Sequence, residues 1–270
     1  MRFDLHTHHI RCGHAEGTIE DYIQAAIRNG LTVIGISDHS PFFGRNEDHP
    51  NPHVAMAKSM FLAYIDEVLT LKAKYAKKID VLLSMESDFF PDVIDAYRKA
   101  YQNVPFDYII GSVHLSNGVS IFNKTRWNGL NDHEKIKQKE DYYRLIQQSA
   151  QSGLFQVLGH IDAMKGYYPA FSDIQTPIVD QTLKIISECG VAVEVNTSGK
   201  TKWSGGWYPS DEMLERAHYY GVKLTLGSDS HTPERVGDDF DRVANKLHEI
   251  GYREWYYYKQ KQAIAVPLER

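Results

Sequence analysis

Short apolar runs punctuate the chain at residues 3–6, 32–37, 81–85, 108–113, 155–159, 191–196 and 222–227. Each is rich in Val, Ile, Leu or Tyr and apolar at consecutive positions, the pattern of a parallel strand covered on both faces. Between them lie longer stretches with helical spacing, at residues 18–29, 59–75, 92–101, 133–152, 176–189 and 211–220. Thr18 is placed to cap the first of these. Gly30, Gly153, Gly190 and Gly221 stand where a helix stops before the next strand. Alternation at this spacing predicts an α/β fold of parallel β/α units. Seven units favour a barrel over an open sheet. The aromatic run at residues 255–258 predicts a closing strand or hairpin. Residues 41–57 and 116–132 fit neither period, and unstructured stretches of that length are often lids or binding loops. No repeat or linker interrupts residues 1–270, so one domain is expected.

The composition is that of a globular protein, 42% hydrophobic and 24% charged, which excludes disorder and collagen-like repeats. A net charge of -5 without a basic stripe argues against nucleic-acid or membrane-surface binding. Two distant cysteines, Cys12 and Cys189, argue against a disulfide framework. The opening residues carry no apolar leader, and no run approaches the roughly 20 apolar residues that span a bilayer. A cytoplasmic location is the expectation. The unusual feature is 13 histidines.

Their placement matters more than their number. The predicted strands end in His6-Thr7-His8, Asp38-His39, Glu86, His114, His160, Asn196 and Asp229-Ser230-His231. In a β/α barrel those ends share one face, where active sites form. A lone histidine at a strand end is usually a packed or surface residue. Here every strand except the one ending in Asn196 delivers an imidazole or carboxylate to the same face, and the two histidines of His6-x-His8 point the same way. That joint placement predicts a metal site. Nitrogen and oxygen ligands without sulfur suit zinc, iron(II) or manganese, and a bridging carboxylate allows more than one ion. Ions about 3.5–4 Å apart can activate a shared water and clamp a displacement at phosphorus.

The pattern resembles the PHP (polymerase and histidinol phosphatase) superfamily over nearly the whole chain. The matching segments are His6-x-His8, His14, Ser37-Asp38-His39, Glu86, Gly111-Ser112-Val113-His114, Gly159-His160-x-Asp162, Glu194-x-Asn196-Thr197-Ser198-Gly199 and Gly227-Ser228-Asp229-Ser230-His231. The resemblance implies a distorted seven-stranded (β/α)7 TIM-like barrel holding three divalent ions. His6, His8, Glu86 and Asp229 would hold the first. Glu86 would bridge to a second, completed by His114 and His160. His14, His39 and His231 would hold the third. The last segments also resemble the family's phosphatases of histidine biosynthesis, which implies hydrolysis of the small-molecule phosphomonoester L-histidinol phosphate by a hydroxide shared between two ions. Asp229, His231 and Glu86 are then the catalytic candidates, with Asp229 or a water as general acid.

Phosphate also needs cationic donors. The resemblance places Lys165 and Lys200 at phosphate-binding positions where relatives tend to carry arginine, so the bidentate fork is missing. Arg126 and Ser198 are further substrate-binding candidates, and Arg45 and Lys202 weaker ones. Glu16 and Asp162 are expected to contact substrate or orient a ligand, Asp162 in the orienting role. The pairs Phe42-Phe43 and Tyr167-Tyr168 read as packing before pocket lining. Rival readings keep the fold but hydrolyse phosphotyrosine protein or a nucleotide, abandon catalysis for metal binding, or change the family to an amidohydrolase. No residue pattern predicts the oligomeric state.

Overall fold

The computed structural model describes residues 1–49, 53–203 and 205–268. Its elements alternate as the apolar pattern requires. Strand β1 (Phe3–Asp4) leads to helix α1 (Ile19–Arg28) and strand β2 (Val33–Ile36). Helix α2 (Phe61–Tyr75) returns to β3 (Asp80–Leu83), and β4 (Glu86–Asp88) follows after two residues. Helix α3 (Ile94–Tyr101), β5 (Ile110–Ser112), the small hairpin of β6 (Leu115–Ser116) and β7 (Val119–Ser120), and α4 (Asp132–Gln151) come next. Then come β8 (Val157–Leu158), α5 (Ile178–Cys189), β9 (Ala192–Asn196), α6 (Asp211–Tyr219) and β10 (Lys223–Gly227). Helix α7 (Phe240–Ile250) and the hairpin of β11 (Glu254–Lys259) and β12 (Gln262–Pro267) close the chain.

The principal strands form two parallel sheets, of order β1-β2-β3 and β10-β9-β8-β5-β4. Ser84 and Met85 separate β3 from β4, and the backbone N–H of Glu86 donates to Ser37 O at 2.9 Å across that step. At the other end, Leu5 N donates to Leu226 O and His8 N to Ser230 O, each at 3.0 Å, so β1 lies beside β10. Every residue of β2 and β9 is buried, as consecutive apolar runs predict. No helix among the described residues is long and apolar enough to cross a membrane.

Local signals explain the helix ends. Thr18 and Asp21 form a reciprocal capping box at α1, as do Asn131 and Glu134 at α4. Gly190 ends α5 in the left-handed conformation. Two features depart from expectation. Helix α7 was not among the predicted helices, although Phe240, Val243 and Leu247 bury one face at helical spacing. The segment 116–132 is less of a loop than predicted, because the β6–β7 hairpin and a turn of 3-10 helix at Lys124–Trp127 lie largely within it. Residues 50–52 of segment 41–57 lie outside the described residues.

Candidate active site

The ligand-type residues converge beyond the carboxyl ends of β1, β2, β3, β5, β8 and β10. Glu86, the first residue of β4, lies at their centre and is 1% exposed. Its Oε2 is 2.7 Å from His39 Nδ1, 3.4 Å from His6 Nε2 and 3.6 Å from His8 Nε2. Its Oε1 is 3.0 Å from His160 Nε2 and 3.4 Å from His114 Nε2, and it accepts from Ser112 Oγ at 2.7 Å. Asp229 Oδ1 is 3.0 Å from His8 Nε2, and His14 Nε2 is 3.0 Å from His231 Nε2. The His8 ring stacks on both His39 and His231 at 4.2 Å. All nine sequence-predicted ligands therefore meet in one connected group. His160 and Asp229 sit at φ of 29° and 48°, a conformation that costs about 1 kcal/mol or more for a residue with a Cβ and recurs at functional sites.

A second layer of carboxylates aims the imidazoles. Glu194 Oε1 lies 2.6 Å from His6 Nδ1, leaving Nε2 to face Glu86. Asp88 faces His114 Nδ1 at 2.8 Å, and Asp38 faces His8 Nδ1 at 3.3 Å while pairing closely with His9. Such partners fix the ring and its tautomer and raise ligand basicity. Their functional role was not predicted for Asp88 and Glu194. The usable signal was a carboxylate two residues from a predicted ligand or motif asparagine, in Glu86-x-Asp88 and Glu194-x-Asn196.

These residues fit divalent metal ions. His6 Nε2 and Glu86 Oε2 are both buried and neither makes a hydrogen bond, a costly state that a shared cation relieves. His6, His8 and Glu86 can present ligand atoms within 4.8 Å of one another, as can His8, His39 and His231, and His39, Glu86 and His114. Cys12 forms such a group with His8 and Asp38, but its thiol donates to His9 O at 3.2 Å and burial raises its pKa.

The charges hold one another in place. Burial pushes the His6 imidazole down, but Glu194, Glu86 and Asp229 outweigh it and raise its pKa well above the ordinary value. Burial likewise opposes His8, yet Asp229 and Asp38 raise it to about 9. Against burial, His39, His6 and His114 lower Glu86 far below the carboxylate range, and His6 and His8 do the same for Asp229. His231 is pushed down to about 3 by burial and by His8. The sign for stability follows. In metal-free protein the raised His8 stabilises the fold fully below its unfolded value of 6.5, and that contribution is lost as pH rises towards about 9. The depressed Glu86 and Asp229 contribute above the ordinary carboxylate range and lose their contribution on acidification. Thermal melts of chelator-treated protein are expected to show greatest stability near about pH 6.5, falling towards about pH 9 as His8 loses its proton and falling below 6.5 because His231, held down to about 3, stays neutral while the unfolded chain takes up that proton. Zinc affinity should rise across the same alkaline window, since binding displaces protons from His6 and His8. A flat melting profile between pH 6 and about 9 contradicts this.

Two cavities flank the ligand group. One, of about 430 Å³, is lined by His14, His114, His160, Ser198, Asp229 and His231, with Phe122, Tyr167, Tyr208, Lys202 and Arg235. The other, of about 620 Å³, shares His14, His39, His114 and Phe122 and is otherwise walled by residues including Phe42, Phe90, Val93 and Tyr97, with Asp88, Asp92 and Arg45 as its charged groups. Phe42 and Tyr167 thus face cavities, while Phe43 and Tyr168 pack against the core.

The other predicted substrate contacts are distributed differently. Ser198 lines the first cavity and its Oγ lies 3.0 Å from Asp229 Oδ2. Lys165 is buried, donates to Trp207 O at 2.6 Å and pairs with Asp162 at 2.9 Å. Asp162 also accepts from Ser210 N at 2.9 Å, so its partners lie away from the histidines. Lys200 pairs with Asp238 at 2.6 Å and Asp239 at 3.2 Å. Arg126 is spent on the carbonyls of Ser116, Val119 and Ser120 and on Gln138. The Glu16 side chain is exposed, and only its backbone, donating to His231 O, reaches the site. Neither Lys165, Lys200, Arg126 nor Glu16 lines either cavity. Among the unassigned histidines, His133 and His218 are exposed on helices.

The PHP domain model matches residues 4–198. The chain belongs to the PHP domain family. Its curated relatives include a Deinococcus radiodurans protein named "Probable histidinol-phosphatase", 31% identical over 93% of this chain and 94% of that one. The histidinol-phosphatase of Bacillus subtilis is 29% identical over 87% of this chain and 95% of its own. Among solved structures, the histidinol phosphate phosphatase of Lactococcus lactis, crystallised with zinc, L-histidinol and phosphate, superposes with a TM-score of 0.76. That match has 17% identity and covers 97% of this chain and 98% of the other. At that identity the superposition shows a shared fold, and metal dependence rests on the family and the ligand geometry together.

Proposed function

We propose that this protein is a metal-dependent phosphomonoesterase that hydrolyses L-histidinol phosphate to L-histidinol and phosphate, a cytoplasmic step of histidine biosynthesis. The observation that carries the reading is the convergence of seven histidines with Glu86 and Asp229, with His6 Nε2 and Glu86 Oε2 buried and making no hydrogen bond. The full-length curated relatives that bear this activity in their names support it. Three ions are proposed, held by His6, His8, Glu86 and Asp229, by Glu86, His114 and His160, and by His14, His39 and His231. Bound divalent ions polarise a phosphoryl oxygen and activate water at neutral pH. The chain's own part is orientation. Asp229 keeps Oδ1 towards His8 while Oδ2 meets Ser198 Oγ at 3.0 Å and Asn196 Nδ2 at 3.2 Å. A proton for the leaving oxygen would sit on Asp229 Oδ2 only with the Ser198 hydroxyl turned to accept it, and otherwise would come from a water.

The second cavity supports the choice of leaving group. Aromatic walls and the Asp92 carboxylate, which has no partner among the described residues, suit an amino alcohol that carries an imidazole ring. We also infer that the two sheets form one closed seven-stranded barrel in a single domain, with β3 and β4 counted as one strand interrupted at Ser84 and Met85, supported by the Leu5–Leu226 and Glu86–Ser37 hydrogen bonds.

The test is phosphate release from L-histidinol phosphate beside p-nitrophenyl phosphate, phosphotyrosine and AMP, with zinc, manganese or iron(II) supplied. Histidinol phosphate is expected to be turned over fastest, and His114→Ala to be inactive. Asp92→Asn should raise KM about three- to tenfold for histidinol phosphate and less for p-nitrophenyl phosphate, which carries no amine. Faster turnover of another ester overturns the substrate assignment.

A further inference from the structure

A phosphate dianion leaves its metal ligands with oxygens still to be neutralised, and cationic hydrogen-bond donors at the site do this best. Lys165 and Lys200 are engaged by carboxylates and line neither cavity. The cations that line the cavity beside Asp229 and His231 are Lys202 and Arg235. Arg235 ends the short 3-10 turn Pro233–Arg235, which begins two residues after His231. Its Nε and one terminal nitrogen, Nη2, both reach Asp238 Oδ2, at 3.3 and 3.2 Å. Its other terminal nitrogen, Nη1, has no partner among the described residues.

Asp238 does not neutralise this guanidinium alone. Its other oxygen accepts from Lys200 Nζ at 2.6 Å, and Lys200 also reaches Asp239 at 3.2 Å. Lys200 therefore offsets the carboxylate that braces Arg235 and leaves the guanidinium's charge for a ligand. The turn is fixed to the metal side of the fold through Asp4, which is buried. Asp4 Oδ2 accepts from Gly237 N at 2.8 Å, while Oδ1 accepts from His6 N at 3.1 Å and Ser228 N at 2.9 Å. A donor held on both sides in this way is pre-organised, so little of its binding energy goes into ordering.

From this geometry we infer that Arg235, with Lys202, holds the phosphoryl oxygens of the substrate, and that Asp238 and Lys200 are positioning residues for Arg235. The inference rests on the phosphomonoesterase reading, and its test separates the two. Binding of inorganic phosphate to the metal-loaded protein is measured by calorimetry, alongside KM, kcat and metal content. Arg235→Gln is expected to weaken phosphate binding about ten- to a hundredfold with metal content unchanged, and Arg235→Lys to recover part of the loss. Lys200→Met should shift phosphate binding in the same direction by less, with an unchanged melting temperature, and Lys200→Arg should restore it. Phosphate binding by Arg235→Gln within about twofold of wild type overturns the inference, as does loss of its metal, which would make Arg235 a support of the ligand shell. Phosphate binding that depends on Arg235 in a protein that hydrolyses no phosphomonoester would uphold this anion site and overturn only the reaction.

Discussion

Glu86→Gln is expected to lower turnover by a factor on the order of 10³ or more and to release bound metal, measured as phosphate formed and ions per chain. No other carboxylate among the described residues lies beside as many imidazoles. Glu86 lies within 3.6 Å of a ring nitrogen on each of His6, His8, His39, His114 and His160. The amide keeps the shape but removes the charge around which those imidazoles gather. It also turns one oxygen into a donor facing rings that must present lone pairs to a cation. Lewis-acid stabilisation of a phosphoryl transition state amounts to several kcal/mol, and each 1.36 kcal/mol is about tenfold in rate, which sets the expected loss. Glu86→Asp separates geometry from charge, since it retains the carboxylate but withdraws it by one methylene. It should keep more metal than the amide and still lose most activity. An amide variant with full metal content and activity within about tenfold of wild type would show that Glu86 is no shared ligand.

The strands and the meeting of the ligand-type residues were legible in the sequence for one reason. Both depend on local order along the chain. Consecutive apolar residues mark β2 and β9 because both faces of those strands are covered, and ligands gather at strand ends because parallel strands all finish on one side. The cations were harder to read because their partners are distant in sequence. Lys165 looks like a phosphate ligand until Asp162 and the Trp207 carbonyl are folded against it, and Lys200 until Asp238 is. Arg235 carried no motif, and its value lies in which acid braces it and which cavity it lines. The orienting carboxylates Asp88 and Glu194 belong to the same class. Their role depends on which ring nitrogen they meet, and only the assembled strands decide that. Helix α7 is a different case, since Phe240, Val243 and Leu247 stand at helical spacing in the sequence itself.

Gly227→Ala should produce a large loss although it removes no chemical group. A Cβ at 227 would lie 1.9 Å from Glu194 Oε1 and 2.5 Å from His6 Cβ. Neither neighbour is free to retreat. Glu194 is held at both oxygens, by His6 Nδ1 at 2.6 Å, by Asn196 Nδ2 at 2.8 Å and by His160 N at 3.2 Å. Strand β10 cannot slide either, because Gly227 pairs with Asn196 and a one-residue slip would turn its buried side chains outward. Overpacking of this kind costs about 1–3 kcal/mol, and at roughly 2–4 °C per kcal/mol the metal-free protein should melt about 2–12 °C lower. Displacing Glu194 also frees the His6 ring, so metal affinity should fall about ten- to a hundredfold. The two losses can be separated with a second substitution. Glu194→Asp shortens the side chain that the new methyl strikes. In the Gly227→Ala background it should recover part of the melting temperature while leaving metal affinity low, because the shorter carboxylate no longer reaches His6 Nδ1. A Gly227→Ala protein that melts and binds zinc as wild type does would mean that Glu194 does not press against this strand, and the orientation of His6 would need another cause.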